Sequence, residues 1–316
     1  MSRKPNFSKL CLRPTDEERY LYMITRRGVC LYDTQTNTVS EQLNHTSAVR
    51  IGVSQSGKTL AALEWSKKKP KLIIFEKTAK MEQMATVVLK KPCLESEPVF
   101  GPDQHSVWVA NNEGVTRYDL DSQDLSDISS CPADYCLVSF DIFNQMVGLL
   151  YQRKESTTEY LLCIHRLADH VSLEFPLINV DTILSFTFLS ETSFVLSSQI
   201  WGVGTARSKI RQYYLNAKSE IILERVHHIP GFIHTFSLMK EQGICAYTFR
   251  TLEKRHIGIC DIGEILELSA DKTLLTRMSM QSWSCYCSDR TKKVYFCDTF
   301  GAYFYDLVSQ EVTLIK

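Results

Sequence analysis

A short phrase returns along the whole chain and restricts its fold more than any other feature: a pair of residues, usually apolar then acidic, followed by a turn. It first occurs in VCLYDTQTNTV (Tyr32, Asp33), then in LIIFEKTAK (Phe75, Glu76) and VTRYDLDSQ (Tyr118, Asp119). LLCIHRLADH places His165 and Arg166 in the same slot, KIRQYYLNAKSE places Tyr214 there, IGICDIGE gives Cys260 and Asp261, and AYFYDLVSQ gives Tyr305 and Asp306. The first members of successive pairs lie 43, 43, 47, 49, 46 and 45 residues apart. Each interval holds several short β-rich runs separated by turn residues. A unit of that length with that content is one small sheet, and sheets repeated at a fixed period stack into a single architecture.

Seven anchors in 316 residues leave nothing substantial over. The fold expected is all-β, a seven-bladed β-propeller of four-stranded antiparallel blades. It forms one domain over residues 1–316, with blades near 7–43, 47–89, 94–130, 136–177, 182–229, 232–269 and 274–316. The first blade begins with its own innermost strand (FSKLCL) and the last ends with its own outermost (EVTLIK). No strand shared between them is expected, and closure would rest on side-chain packing.

The second unit carries the most specific letters. Asn44-His45 precedes a strand, and SQSGKTLAALEW follows as a turn and second strand. With the period, these letters resemble the WD-repeat β-propeller family, in which blades carry Gly-His before a Ser-Pro-Asp-Gly-Lys turn and end the third strand on Trp-Asp. Tyr or Phe followed by an acid stands for that Trp-Asp in four units, and Gly-His is nowhere intact. The resemblance implies a non-catalytic scaffold holding peptides or protein domains on its disc faces, as a monomeric propeller within a hetero-complex. A propeller hydrolase with its site at the central channel is the alternative on the same fold. It would require His and carboxylates converging from several inner strands, and RIGV, CLVSFDIF, ILSFTFL, IHTFSLM and SWSCYC are mostly apolar.

Gly52 to Thr59 also matches G-x-x-x-x-G-K-[ST], the phosphate-cradling loop of an NTPase. Such a loop needs a buried strand before it and a helix after it, so that N–H groups of the helix start face the phosphates. TLAALEWSKKK has helical propensity, but KLIIFE follows Pro70 at once, and the chain lacks the alternation of strands and long helices of a parallel α/β sheet. Gly57 and Lys58 are ordinary residues for a hairpin turn. The hairpin reading is the one taken here.

Eleven scattered cysteines without a C-x-x-C pair indicate neither a disulfide framework nor a zinc site. The start has no signal-peptide pattern, and no apolar run reaches transmembrane length. A cytoplasmic or nuclear chain without a membrane span or cofactor is expected. His227-His228 would point to opposite faces of a strand and is read as part of a loop. The tryptophans are assigned to blade packing, except Trp201 in an exposed turn.

Lysine and arginine total 36, as do aspartate and glutamate, which argues against a globally basic nucleic-acid binder. The charge is nevertheless sorted. From His45 to Cys93 ten basic residues face three acidic ones, and from Leu94 to Tyr135 one faces nine. The expected turns between second and third strands collect Arg26, Arg27, Lys67, Lys68, Lys69, Arg153, Lys154, Arg207, Lys254 and Arg255 on one face of the disc. With Trp201 these are the candidate partner-binding residues, suited to an acidic or phosphorylated protein or peptide.

Overall fold

The computed structural model describes residues 12–17, 19–25, 28–43, 48–64, 70–78, 80–89, 96–111, 114–178, 180–200, 207–229, 231–250, 255–261, 285–297 and 302–315. These residues form 27 strands and no helix. The strands make seven antiparallel sheets, each a simple meander in chain order, so the protein is a seven-bladed β-propeller. Six blades show four strands, lettered a to d from the channel outward. The sixth shows three, and the stretch expected to supply its fourth lies outside the described residues. All seven repeat anchors fall at the end of a c strand, from Tyr32-Asp33 closing Gly28–Asp33 to Tyr305-Asp306 closing Ala302–Asp306.

The inner strands are β1 (Leu12–Pro14), β5 (Ala48–Val53), β9 (Val99–Phe100), β13 (Tyr135–Phe143), β17 (Thr182–Phe188), β21 (Phe232–Met239) and β24 (Cys285–Ser288). Four of them carry one extra residue relative to their b strand: Val49, Val138, Leu184 and His234. The same bulge at the same place in four blades is a structural repeat that the letters do not show. Of the FSKLCL stretch expected to start the first blade, Leu12 opens β1 and the rest lies outside the described residues.

Burial follows from the layering. The b strands are covered on both faces by neighbouring blades, so TLAALE, SVWVAN and MVGLLYQR are almost wholly buried. The d strands face water on the rim, and MEQMATVV and IILERVHHI alternate toward exposure. The apolar core is accordingly divided into seven clusters, each shared by two adjacent blades around the complete circle. Phe186, Phe188 and Phe194 of the fifth blade, for instance, pack on Leu150, Leu162 and Ile164 of the fourth.

Closure uses the same chemistry. Leu12, Leu21, Met23 and Tyr32 of the first blade pack on Tyr295, Ala302 and Ile315 of the seventh. Among the described residues the first and last sheets each keep their own strands, and no strand is shared. Arg290 adds a latch by donating to the main-chain oxygens of Thr15 and Asp16.

An inner strand leaves one row of backbone N–H groups without a strand partner, and these need acceptors. Side chains of the preceding blade supply them. Ser139 Oγ accepts from Phe186 N (3.1 Å), Asp141 from Phe188 N (2.9 Å), and Ser237 Oγ from Cys287 N (2.9 Å). Ser208 Oγ accepts from Ile233 N at 3.0 Å and donates to the Gly231 carbonyl at 2.8 Å.

Candidate functional site: the two disc faces and the channel mouth

The meander directs all a–b and c–d turns to one face of the disc and all b–c turns to the other. On the first face the recurring acid has a local task. Asp33, Asp119 and Asp306 each accept the N–H groups two and three residues further on, which closes the c–d turn. The residue four positions after the end of strand c takes a left-handed conformation in five blades: Asn37, Gln123, His170, Ser219 and Gln310. The phrase that reveals the repeat is therefore turn chemistry. Arg19 also binds Asp33, and its hydrogen bonds hold that carboxyl well below the usual carboxylate range.

The phosphate-loop match lies on this face and is a hairpin. Gly52 and Val53 end β5, and Thr59 opens the b strand β6 (Thr59–Glu64) where a helix would have to start. Ser54 N donates to the Thr59 carbonyl at 2.9 Å, and Thr59 N to Ser54 Oγ at 3.0 Å. Both glycines have packing reasons. A Cβ on Gly52 would lie 1.9 Å from the Pro98 carbonyl oxygen. Gly57 has φ +79°, and its Cβ would lie 2.5 Å from Asp16 N of the first blade. The loop's amides are thus turned inward to the hairpin and its neighbours, and no cradle exists.

Around the channel on the same face is a cavity of about 460 Å³ lined from six blades. Its charged groups are committed to other blades. Arg13, buried, is paired with Glu97 two blades on, and its guanidinium lies 4.0 Å from the centre of the Tyr286 ring. Lys240 of the sixth blade reaches Asp141 of the fourth at 2.8 Å. Burial pushes the Asp289 carboxyl above its ordinary range, although it accepts the Lys240 and Glu241 N–H groups, each at 3.1 Å. Further out, Lys77 of the second blade binds Asp16 and Glu17 of the first, each at 2.8 Å. These groups hold the ring together across its blades.

On the opposite face lie the described members of the basic b–c turns. Arg153 ends the fourth blade's b strand, and Lys154 follows it in the turn. Arg207 opens the fifth blade's c strand, and Arg255 that of the sixth. Arg153 is tied to Glu159 at 2.7 Å. Lys154 is exposed and donates to the Ala133 carbonyl at 2.6 Å, and Arg207 is exposed too. Neither has an acid within ion-pair distance among the described residues. Lys209, two residues beyond Arg207, is turned to Asp181 at 3.2 Å, and Arg211 binds the same carboxylate. Arg26, Arg27, Lys67, Lys68, Lys69, Trp201 and Lys254 lie outside the described residues, as does the side chain of Arg255.

No family model matches the sequence, and no curated protein does. Solved structures do match. KlAtg21, solved with the coiled coil of AgAtg16, superposes with a TM-score of 0.62 at 15% identity, over 96% of this chain and 97% of that one. Hsv2 of Kluyveromyces lactis gives 0.60 at 13% identity, over 96% of each chain. The tricorn protease gives 0.67 at 10% identity, over 99% of this chain and 34% of its own. The likeness establishes the fold.

Sequence reading missed two features. His227 and His228 lie on the d strand Ile221–Ile229, so the expected loop is strand. They do point to opposite sides, His227 half-buried and His228 exposed, and burial lowers the His227 pKa. In the third blade Trp108 Nε1 donates to Ser106 Oγ (3.0 Å), which donates to Asp103 (2.9 Å). The short spacing D-x-x-S-x-W is the only signal of this chain of bonds. Cys285 and Cys287 share one face of β24 and are buried, as their spacing predicts. Cys30, Cys131, Cys136, Cys163, Cys245, Cys285 and Cys287 are free thiols.

Proposed function

We propose that the chain is a non-catalytic scaffold whose b–c face holds an acidic or phosphorylated segment of a protein partner, the propeller acting as a monomer within a hetero-complex. The observation that carries this reading is the contrast between the channel mouth and the b–c face. At the channel mouth the cations are bound by their own chain. On the b–c face Lys154 and Arg207, on adjacent blades, stand exposed without an acidic partner among the described residues. Cations in that state meet carboxylates or phosphates with little competing interaction to break. KlAtg21, similar in fold, was solved with a coiled-coil partner, which supports a protein as the occupant. The cytoplasm or nucleus is the proposed compartment, and among the described residues no helix is long and apolar enough to cross a membrane.

Fluorescence anisotropy with a phosphoserine- and aspartate-rich peptide tests the reading. Affinity should fall steadily as salt rises, and the variant Lys154→Ser with Arg207→Ser should bind several-fold more weakly with a shallower salt slope. Equal affinity and equal salt slope in wild type and variant would overturn it.

A further inference from the structure

Each of the six described outer strands has one row of N–H and C=O groups facing outward, a template on which another strand can pair. Five of the six described outer strands carry a device against that. The outer strands of the first, second, third and fifth blades each hold an extra residue that breaks the register: Ser40, Met84, Ile128 and Glu224. The fourth carries Pro176, which has no N–H to donate.

The seventh blade is the exception. Its outer strand β27 (Glu311–Ile315) pairs with β26 (Ala302–Asp306) in unbroken register from Asp306↔Glu311 to Ala302↔Ile315, with neither bulge nor proline. Apolar side chains are exposed beside the open edge. Val312 and Leu314, on one face, are 37% and 43% exposed, and Val308 in the preceding turn is 83% exposed. Glu311 is the strand's only charged residue, and it is exposed.

We propose that the β27 edge takes an extended peptide strand of a partner protein, which lengthens the seventh blade by one strand. The backbone groups dictate the class of ligand, since a row of alternating donors and acceptors is matched by another strand. Val312 and Leu314 call for apolar or β-branched residues at alternate positions of the peptide, and Glu311 for a basic residue opposite it. Size argues for a peptide rather than a second copy of this chain. A five-residue edge shared by two rigid discs falls short of the roughly 1,200 Å² of a stable protein–protein interface. A flexible segment needs only the strand bonds and the side-chain contacts. The proposal rests on the interaction reading above but uses the rim, so the two fail separately.

A phage-displayed random dodecapeptide library selected on the intact protein is the test. Selected peptides should share alternating apolar positions with a basic residue and lose at least tenfold in affinity for the variant Val312→Lys with Leu314→Lys. The variant Met84→Lys with Val88→Lys, on the second blade's rim, should bind them as wild type does. Hydrogen exchange on the wild-type protein gives a readout independent of the variants, with protection by the peptide over 311–315 and none over 38–42. Selected peptides that bind the β27 variant undiminished, or protection that appears with protein concentration alone, would overturn the proposal. Loss of the acidic peptide's salt-dependent binding would leave this result untouched.

Discussion

The wedge between the fourth and fifth blades offers a quantitative check on the packing. Gly148, in the b strand Met146–Arg153, faces the Phe186 ring so closely that an added Cβ would lie 2.1 Å from Cε1 and 2.4 Å from Cζ. Phe186 is 2% exposed and contacts Phe188 edge-on at 4.8 Å and Phe194 at 5.3 Å. Gly148→Ala alone must push a wedged ring more than an ångström, and overpacking of that kind costs about 1–3 kcal/mol. Phe186→Leu alone removes ring volume and two aromatic contacts, a loss of about 1–2 kcal/mol. In the double variant the new methyl enters the space the ring has left. Its cost should therefore fall below the sum of the single costs by about 1 kcal/mol or more. Urea unfolding at constant m-value measures all three. Additivity within about 0.5 kcal/mol would mean that the two residues are not in contact, and the blade order would have to be redrawn.

Three further outcomes follow from the described contacts. Lys58→Ala should leave nucleotide binding, as read by equilibrium dialysis with ATP, at the same background as wild type; a loss on substitution would restore the phosphate loop. Arg290→Met should cost about 1–2 kcal/mol through the two latch carbonyls it leaves. Amide exchange should then accelerate first in the first and seventh blades, and an even acceleration in all blades would contradict closure there. Asp33 is held down chiefly by the hydrogen bond from Arg19, so its charged form stabilises the fold above its unfolded value near pH 4. That contribution is lost as pH falls from there toward the lower folded value. The Tm gap between wild type and Asp33→Asn should narrow as pH drops below about 4, and a constant gap would refute the assignment.

The fold was legible because its repeat is enforced locally. An aspartate at the end of strand c closes the turn that follows it, so Asp33, Asp119 and Asp306 recur at the blade period whatever the strands contain. Where Arg166 or Leu215 ends the strand, Asp169 and Asn216 bind turn amides from a shifted position, and the letters drift while the backbone does not. The channel mouth was not legible. Arg13 with Glu97, and Asp141 with Lys240, join blades that are not even neighbours, and no spacing in the sequence distinguishes such pairs from solvated charges. The basic turns could be assigned to a face, but which cations remain available could not. That depended on Asp181 and Glu159, acids elsewhere in the chain that bind Lys209 and Arg153.

Zero-length carbodiimide coupling followed by peptide mapping puts the closed ring to the most direct test. Lys240 and Asp141 stand 99 residues apart in sequence yet 2.8 Å apart in space, each partly exposed, and only a ring that brings the sixth blade to the fourth puts them there. The amide joining them should form, along with those linking Lys77 to Asp16 and Lys293 to Asp306. Recovery of the Lys293–Asp306 link, which lies within one blade, without the Lys240–Asp141 link would show that the sheets form and the circle does not.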